Sequence, residues 1–205
     1  MMRTLITVPM KEPTASKTRL AGELNAKARV RLVRLLYKRT LEFLLPIAEQ
    51  VGADLSVVTG SEEAAKLARH FGYEVIGEPA GDNLTAATKE AAKWAIANGY
   101  NRLCIVPADL AAPSANDLVK FLESDAAVAI CPSEDKGTNA LLVSPPDAIP
   151  FRYGPMSAIR HHEEAEARGL DVKILPLESL SFDIDTGTCL ERAIFSQPDI
   201  AEACA

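Results

Sequence analysis

Arg3-Thr4-Leu5-Ile6-Thr7-Val8 runs directly into Pro9-Met10-Lys11-Glu12-Pro13-Thr14-Ala15-Ser16-Lys17-Thr18-Arg19-Leu20, and the fold turns on that junction. An apolar run rich in β-branched residues has the composition of a buried strand. It breaks at Pro9 into a loop carrying Lys11, Lys17 and Arg19. In an open α/β sheet, ligands bind outside the carboxyl ends of the strands. Lysine brings a mobile point charge there and arginine a planar fork, both matched to phosphate oxygens. In isolation the loop reads more readily as a solvated turn, so the rest of the chain has to decide.

Downstream, the spacing predicts a helix over 26–50, with Pro46 tightening or ending its last turns. A strand at 55–59 stops at Gly60, and a helix capped by Ser61 runs to about Phe71. A short strand at 73–76 leads to the loop 81–85 and an alanine-rich helix closed by Gly99. The strand 102–106 then delivers Pro107-Ala108-Asp109, and Ser114 with Asp117 reads as a capping box. Such alternation predicts a parallel sheet with helices on both faces and right-handed crossovers. In the second half, strands at 126–130 and 139–143 lie close enough for a hairpin or antiparallel insertion. A helix over 155–168, a strand at 172–175, a last short strand at 180–185 and a helix capped by Thr186 complete the chain. The expectation is one domain over 1–205, since neither repeats nor linker-like segments interrupt it.

Composition narrows the function. A hydrophobic share of 48% with 24% charged residues is that of an ordinary soluble globular protein. The net charge of −6 argues against broad nucleic-acid binding. Cys104, Cys131, Cys189 and Cys204 show no paired spacing, so reduced thiols in the cytoplasm are expected. His161 and His162 are neighbours but His70 is remote, which gives no zinc-type cluster. No apolar run has the length of a membrane span, and 5–10 is too short for a signal-peptide core. Lys27, Arg29, Arg31, Arg34, Lys38 and Arg39 crowd one helix opposite the stripe Val30, Val33, Tyr37, Leu41 and Leu44. That arrangement is a solvated face or a dock for an acidic partner, and with the small size it is compatible with a homodimer.

Three features fall where an α/β sheet collects ligands. Asp109 follows its strand directly, and Asp183 and Asp185 stand one residue apart in Phe182-Asp183-Ile184-Asp185-Thr186. In a strand, residues i and i+2 share a face, and like charges that close call for a cation between them. A hard divalent ion, Mg²⁺ above all, uses one or two carboxylates together with substrate phosphates. The third feature joins Gly137-Thr138-Asn139-Ala140-Leu141 with Gly154 and Ser157 of Tyr153-Gly154-Pro155-Met156-Ser157. Glycine lets backbone N–H groups approach an anion, and a hydroxyl at a helix start adds a donor. Each feature taken singly also fits an ordinary turn or cap. Neither a G-x-x-x-x-G-K-[ST] P-loop, a G-x-G-x-x-G fingerprint nor a G-x-S-x-G elbow is present.

Taken in order, these stretches, with Asp82-Asn83-Leu84-Thr85-Ala86-Ala87 and Val106-Pro107-Ala108-Asp109-Leu110, resemble the phospholactate guanylyltransferase family of coenzyme F-420 biosynthesis. The resemblance spans about Thr4 to Leu190. It implies a single-domain, Rossmann-like nucleotidyltransferase of the glycosyltransferase-A-like kind: α/β, mostly parallel, with a small antiparallel part in the second half. It implies GTP as donor and 2-phospho-L-lactate, phosphoenolpyruvate or 3-phospho-D-glycerate as acceptor, with hand-over to a deazaflavin-accepting transferase. The nucleotide would be faced by Lys11, Ser16, Lys17, Arg19, Asn83, Leu84 and Ala87, and the phosphoacid by Thr138, Gly154 and Ser157. Mg²⁺ would sit on Asp109, Asp183 and Asp185, with Lys11, Lys17, Arg19 and Asp109 in catalysis. Leu110-Ala111-Ala112-Pro113 and Asn83-Leu84-Thr85-Ala86 depart from the family's Leu-Pro-Leu and Leu-Asn-Ala-Ala, which bears on substrate preference rather than reaction class. Asp185-Thr186-Gly187-Thr188-Cys189-Leu190 replaces Asp-Thr-Pro-Glu-Asp-Leu, a change confined to a helix start. Another small nucleotidyltransferase (sugar-phosphate, phosphocholine or molybdopterin type) or a non-catalytic nucleotide-binding module are the competing readings.

Overall fold

Period-two alternation divides each central strand between two apolar cores. In the computed structural model, which describes residues 2–77 and 83–205, the strands are β1 (Thr4–Pro9), β2 (Asp54–Thr59), β3 (Glu74–Gly77), β4 (Arg102–Ile105), β5 (Val128–Pro132), β6 (Thr138–Val143) and β7 (Val172–Ile174). The helices are α1 (Ala26–Val51), α2 (Glu62–His70), α3 (Leu84–Ala97), α4 (Ala115–Leu122), α5 (Ser157–Ala167), α6 (Glu178–Ser181), α7 (Gly187–Ser196) and α8 (Pro198–Cys204). Ile6, Val8, Cys104, Ala129 and Leu142 face a core closed by α1, α2 and α4. Leu5, Ile105, Ile130 and Leu141 face the opposite core, closed by α3 and α5. A third cluster joins the first loop, α1, α7 and α8 through Leu20, Leu32, Ile184 and Ile200.

The seven strands form one sheet in the order β3-β2-β1-β4-β6-β5-β7. From β1 the chain moves outward through β2 to β3, then α3 carries it back to the other flank of β1, where β4 pairs in parallel. The crevice between the carboxyl ends of β1 and β4 is therefore a topological switch point, the place where such sheets bind ligands. β6 is antiparallel to both β4 and β5, with Leu141 opposite Ile105. Its amino end thus arrives at the edge where β4 leaves off.

The mixed α/β architecture with its antiparallel part in the second half is as the residues imply. α1 keeps the expected bounds, running through Pro46 to Val51 because burial of Leu44, Ile47 and Ala48 outweighs the missing N–H, and Gly52 caps it at φ 66°. Other local expectations change. Ser114 makes no side-chain cap; Asp117 instead accepts from Ser179 Oγ (2.7 Å), while Ser114 N donates to that same oxygen (3.0 Å). The 180–185 segment is not a strand: α6 occupies its start, and only the bridge between Leu110 and Asp183 remains. Gly81 and Asp82 of the second loop lie outside the described residues.

The basic face of α1 is largely spent inside the molecule. Arg34 forks onto Glu63 of α2 (2.6 and 2.7 Å), and Arg39 reaches Asp199 and Gln197 at the start of α8. Arg31 Nε donates to the Ala203 carbonyl (3.0 Å), and Lys38 pairs with Glu42. Arg31 and Arg39 thus seat α8 on α1, while Arg34 ties α1 to α2. No described helix is long and apolar enough to cross a membrane.

Candidate active site

β1 releases the chain into two 3-10 turns, Pro13–Ala15 and Thr18–Leu20, with Lys17 between them. Buried Pro13 and Leu20 pin the two turns. Lys17 itself takes the left-handed conformation (φ 54°), uncommon for a residue with a side chain and characteristic of functional loops. That twist aims a 6%-exposed side chain inward, where Nζ stands 2.5 Å from Asp109 Oδ2 and 2.9 Å from Asp185 Oδ1. Arg19 Nη1 lies 3.6 Å from the other oxygen of Asp185 and stays solvated.

The acidic segments are clamped to each other by backbone. Ala111 N donates to the Phe182 carbonyl (3.0 Å) and Ile184 N to the Asp109 carbonyl (3.3 Å). Fully buried Ile184 anchors the link, and Asp183 and Asp185 flank it. One carboxylate oxygen from each of Asp109, Asp183 and Asp185 lies within 4.8 Å of the others. Burial, with the charges of Asp109 and Asp185 added, pushes the Asp183 carboxyl up to about 7. Burial pulls the Lys17 ammonium down, but Asp109 and Asp185 outweigh it and hold the group above its ordinary value. An all-carboxylate donor set suits a hard cation, and the raised Asp183 carboxyl is the mark of acidic charge that Lys17 only partly offsets.

Lys17, Arg19, Asp109 and Asp185 border a cavity of about 340 Å³, within the range of small-molecule sites. Lys11, Ser16, Lys17 and Arg19 line it from the first loop, and Leu84 and Ala87 from α3. Asp109 and Asp185 lie on the floor, with Thr138, Asn139 and Tyr153 on the far wall. Asn83 contributes differently: its side chain caps α3 by accepting from Ala86 N (2.8 Å).

The far wall exists because β6 runs against β4, bringing Thr138 to the carboxyl edge. Thr138 Oγ1 accepts from Ser157 Oγ (3.0 Å) and meets His161 Nδ1 (3.0 Å). Gly137 admits no side chain, since a Cβ would lie 2.6 Å from Ser133 Oγ and 3.0 Å from Asp135 Oδ1. Gly154 sits at φ 116°, open to glycine, and the turn enters α5 through Met156 at φ 58°. The backbone N–H groups of Ser157 and Ala158 are spent on the carbonyls of Gly154 and Lys136, so the helix start offers hydroxyls rather than those amides.

Asp109, Asp185, the first-loop cations and Thr138 are thus brought to one cavity, with Asp183 joined to the two aspartates just outside its lining. Gly154 is exposed and outside the lining; Ser157 is buried behind Thr138 and acts on the wall through it. Asn139, Tyr153 and His161 were not singled out from sequence. His161 lies four residues after Ser157, a helical spacing that puts both on one face of α5.

Comparison with known proteins places this geometry. Residues 2–199 match the family described as guanylyl transferase CofC-like. A 3-phospho-D-glycerate guanylyltransferase of Colwellia psychrerythraea is 37% identical over 201 residues, covering 96% of this chain and 94% of that protein. A phosphoenolpyruvate guanylyltransferase of Sphaerobacter thermophilus is 34% identical over 194 residues, covering 93% and 92%. Among solved structures, a Desulfovibrio desulfuricans protein assigned to the nucleotide-diphospho-sugar transferases superposes with a TM-score of 0.70 at 22% identity, covering 91% of this chain and 84% of that one. The 4-diphosphocytidyl-2C-methyl-D-erythritol synthase of Anaerococcus prevotii gives 0.61 at 10% identity, covering 98% and 96%. The fold is that of nucleotidyltransferases, and the chain is an enzyme of that kind belonging to the guanylyl transferase CofC-like family.

Proposed function

We propose that the enzyme transfers GMP from GTP to a three-carbon phosphoacid, releasing pyrophosphate, within coenzyme F-420 biosynthesis in the cytoplasm. The observation that carries this reading is the opposition, across one cavity, of the Asp109–Asp183–Asp185 cluster and the Thr138 wall, with Lys11, Lys17 and Arg19 at its rim. The two relatives named above act on 3-phospho-D-glycerate and phosphoenolpyruvate, and 2-phospho-L-lactate differs from the latter only by two hydrogens.

An oxygen of the acceptor phosphate attacks the α-phosphorus of GTP, and the bond to the bridging oxygen breaks to release pyrophosphate. A phosphate monoester with a second pKa around 6 is already largely ionised near neutral pH, so no general base is needed. The work left to the protein is alignment and charge neutralisation. Lys11, Lys17 and Arg19 offset the triphosphate, and Leu84 and Ala87 flank the nucleotide where α3 begins. Thr138, with Ser157 behind it, seats the acceptor, and Gly154 shapes the turn that leads into Ser157. Asp109, Asp183 and Asp185 would hold Mg²⁺, which when bound supplies neutralisation of phosphate charge as a Lewis acid. The product is a labile anhydride, suited to direct use by a deazaflavin-accepting transferase.

The test is Mg²⁺-dependent pyrophosphate release from GTP with each of the three acids, ATP and CTP serving as controls and the downstream transferase present to trap product. Release with GTP and one acid supports the reading and fixes the acceptor. Silence with all three, from protein that still binds GTP, overturns it in favour of another nucleotidyl transfer.

A further inference from the structure

His161 is fully buried on α5 and is not among the residues lining the cavity, yet its ring is bonded at both nitrogens. Nε2 lies 2.9 Å from the backbone N of Arg152. A backbone amide can only donate, so Nε2 must be the bare, accepting nitrogen. The ring is also neutral: burial, with the Arg160 charge added, lowers its pKa to about 4. A neutral imidazole without a proton on Nε2 carries it on Nδ1. Nδ1–H therefore donates to Thr138 Oγ1 at 3.0 Å. Ser157 Oγ donates to the same oxygen, also at 3.0 Å. A threonine hydroxyl has two acceptor positions and one proton, and both acceptor positions are now filled from behind. Its own O–H is left to donate, and Thr138 is the member of this trio that borders the cavity.

We propose that His161 is a positioning residue of the acceptor pocket, which by donating from Nδ1 sets the Thr138 hydroxyl as a one-way donor toward an anionic oxygen of the bound phosphoacid. The inference rests on the phosphoacid reading of the Thr138 wall. Without the imidazole, the hydroxyl can turn its proton back into the protein and present a lone pair to an anion. The edge-on contact between the Tyr153 and His161 rings (centroids 5.2 Å apart, 75° between planes) fixes the imidazole plane, and Tyr153 is itself a cavity wall. The chain Arg152 N–H, His161, Thr138 thus has a fixed direction set by a backbone group that cannot reverse.

Two measurements test it, one independent of catalysis. Long-range ¹H–¹⁵N spectra of the ¹⁵N-histidine protein, assigned by loss of a signal in His161→Asn, should show His161 as the neutral Nδ1–H tautomer at neutral pH. An Nε2–H tautomer or a charged ring overturns the proposal, whatever the enzyme's substrates are. Kinetically, His161→Phe should raise KM for the phosphoacid about ten-fold or more, as expected for loss of a hydrogen bond to a charged group, and leave KM for GTP within about two-fold. His161→Asn keeps a side-chain N–H near the Nδ1 position and should recover most of that loss. In Thr138→Val, adding His161→Phe should cost nothing further in acceptor KM, since residues acting through one contact are not additive. Equal rises in both KM values, no rescue by His161→Asn, or full additivity with Thr138→Val overturns the positioning role. Silence of the parent enzyme with every phosphoacid overturns the guanylyl-transfer reading instead, and the tautomer signal then still decides the state of the relay.

Discussion

Asp183 and Asp185 flank the same buried isoleucine but live in different surroundings. Asp185 meets Lys17 and Arg19, whereas Asp183 sits in the protein with its carboxyl pushed up to about 7, first by burial and then by its neighbours' charges. A carboxyl whose folded-state pKa is raised binds its proton more tightly in the native protein. The stability it contributes is full below the unfolded value, about pH 4, and is lost as pH rises through the folded value near 7. Metal-free protein should therefore melt at progressively lower temperature from about pH 4 to about pH 7 and level off above that, and Asp183→Asn should flatten that slope in a thermal-shift series. Asp185→Asn answers a different question. It should cost roughly 10²–10³-fold in turnover, the range for losing one electrostatic stabiliser of a transition state, while melting within a few degrees of the parent. Turnover within a few-fold of the parent would remove Asp185 from the metal role. The carboxylate pair was legible because only one residue separates its members. The partnership of Lys17 with two of the three acids was not, since it depends on a left-handed residue whose conformation no side chain announces.

At the scale of elements, the antiparallel β6 decides what the cavity can bind. Its hairpin-like approach was readable from the short spacing after β5, but its pairing with β4 was not, because strand order is set by which apolar faces meet. The same applies to α8. Its cationic contacts come from α1, more than 150 residues away, so composition alone left α1 looking like an open surface. Ile200, the fully buried residue of α8, should report on that seating. Ile200→Ala should lower unfolding free energy by roughly 2–4 kcal/mol in urea titrations while leaving both KM values unchanged. Altered KM values would tie the C-terminal helix to the site. Ser179 shows why the capping-box expectation at Ser114 failed: a distant hydroxyl satisfied both groups that the local motif would have paired.

For the whole molecule, alternation along the chain predicted the layers, and the junction after β1 predicted the edge where chemistry gathers. The acidic chain of net charge −6 must still receive two anionic substrates, and it concentrates cations in one loop to do so. Ligand that binds only the folded state should stabilise it by mass action. GTP with Mg²⁺ at about 100 times its Kd should thus add roughly 2.7 kcal/mol, read as a rise in melting temperature that Asp185→Asn largely loses. The bridge from Lys17 to Asp109 and Asp185 bears on life between turnovers. The molecule carries its own counterion on a tether, so its resting fold draws nothing from dissolved divalent salts. Exhaustive chelation should leave the circular dichroism of the folded chain intact while silencing catalysis. Lys17→Met should reverse that independence, yielding a protein that holds its native spectrum only when magnesium is supplied.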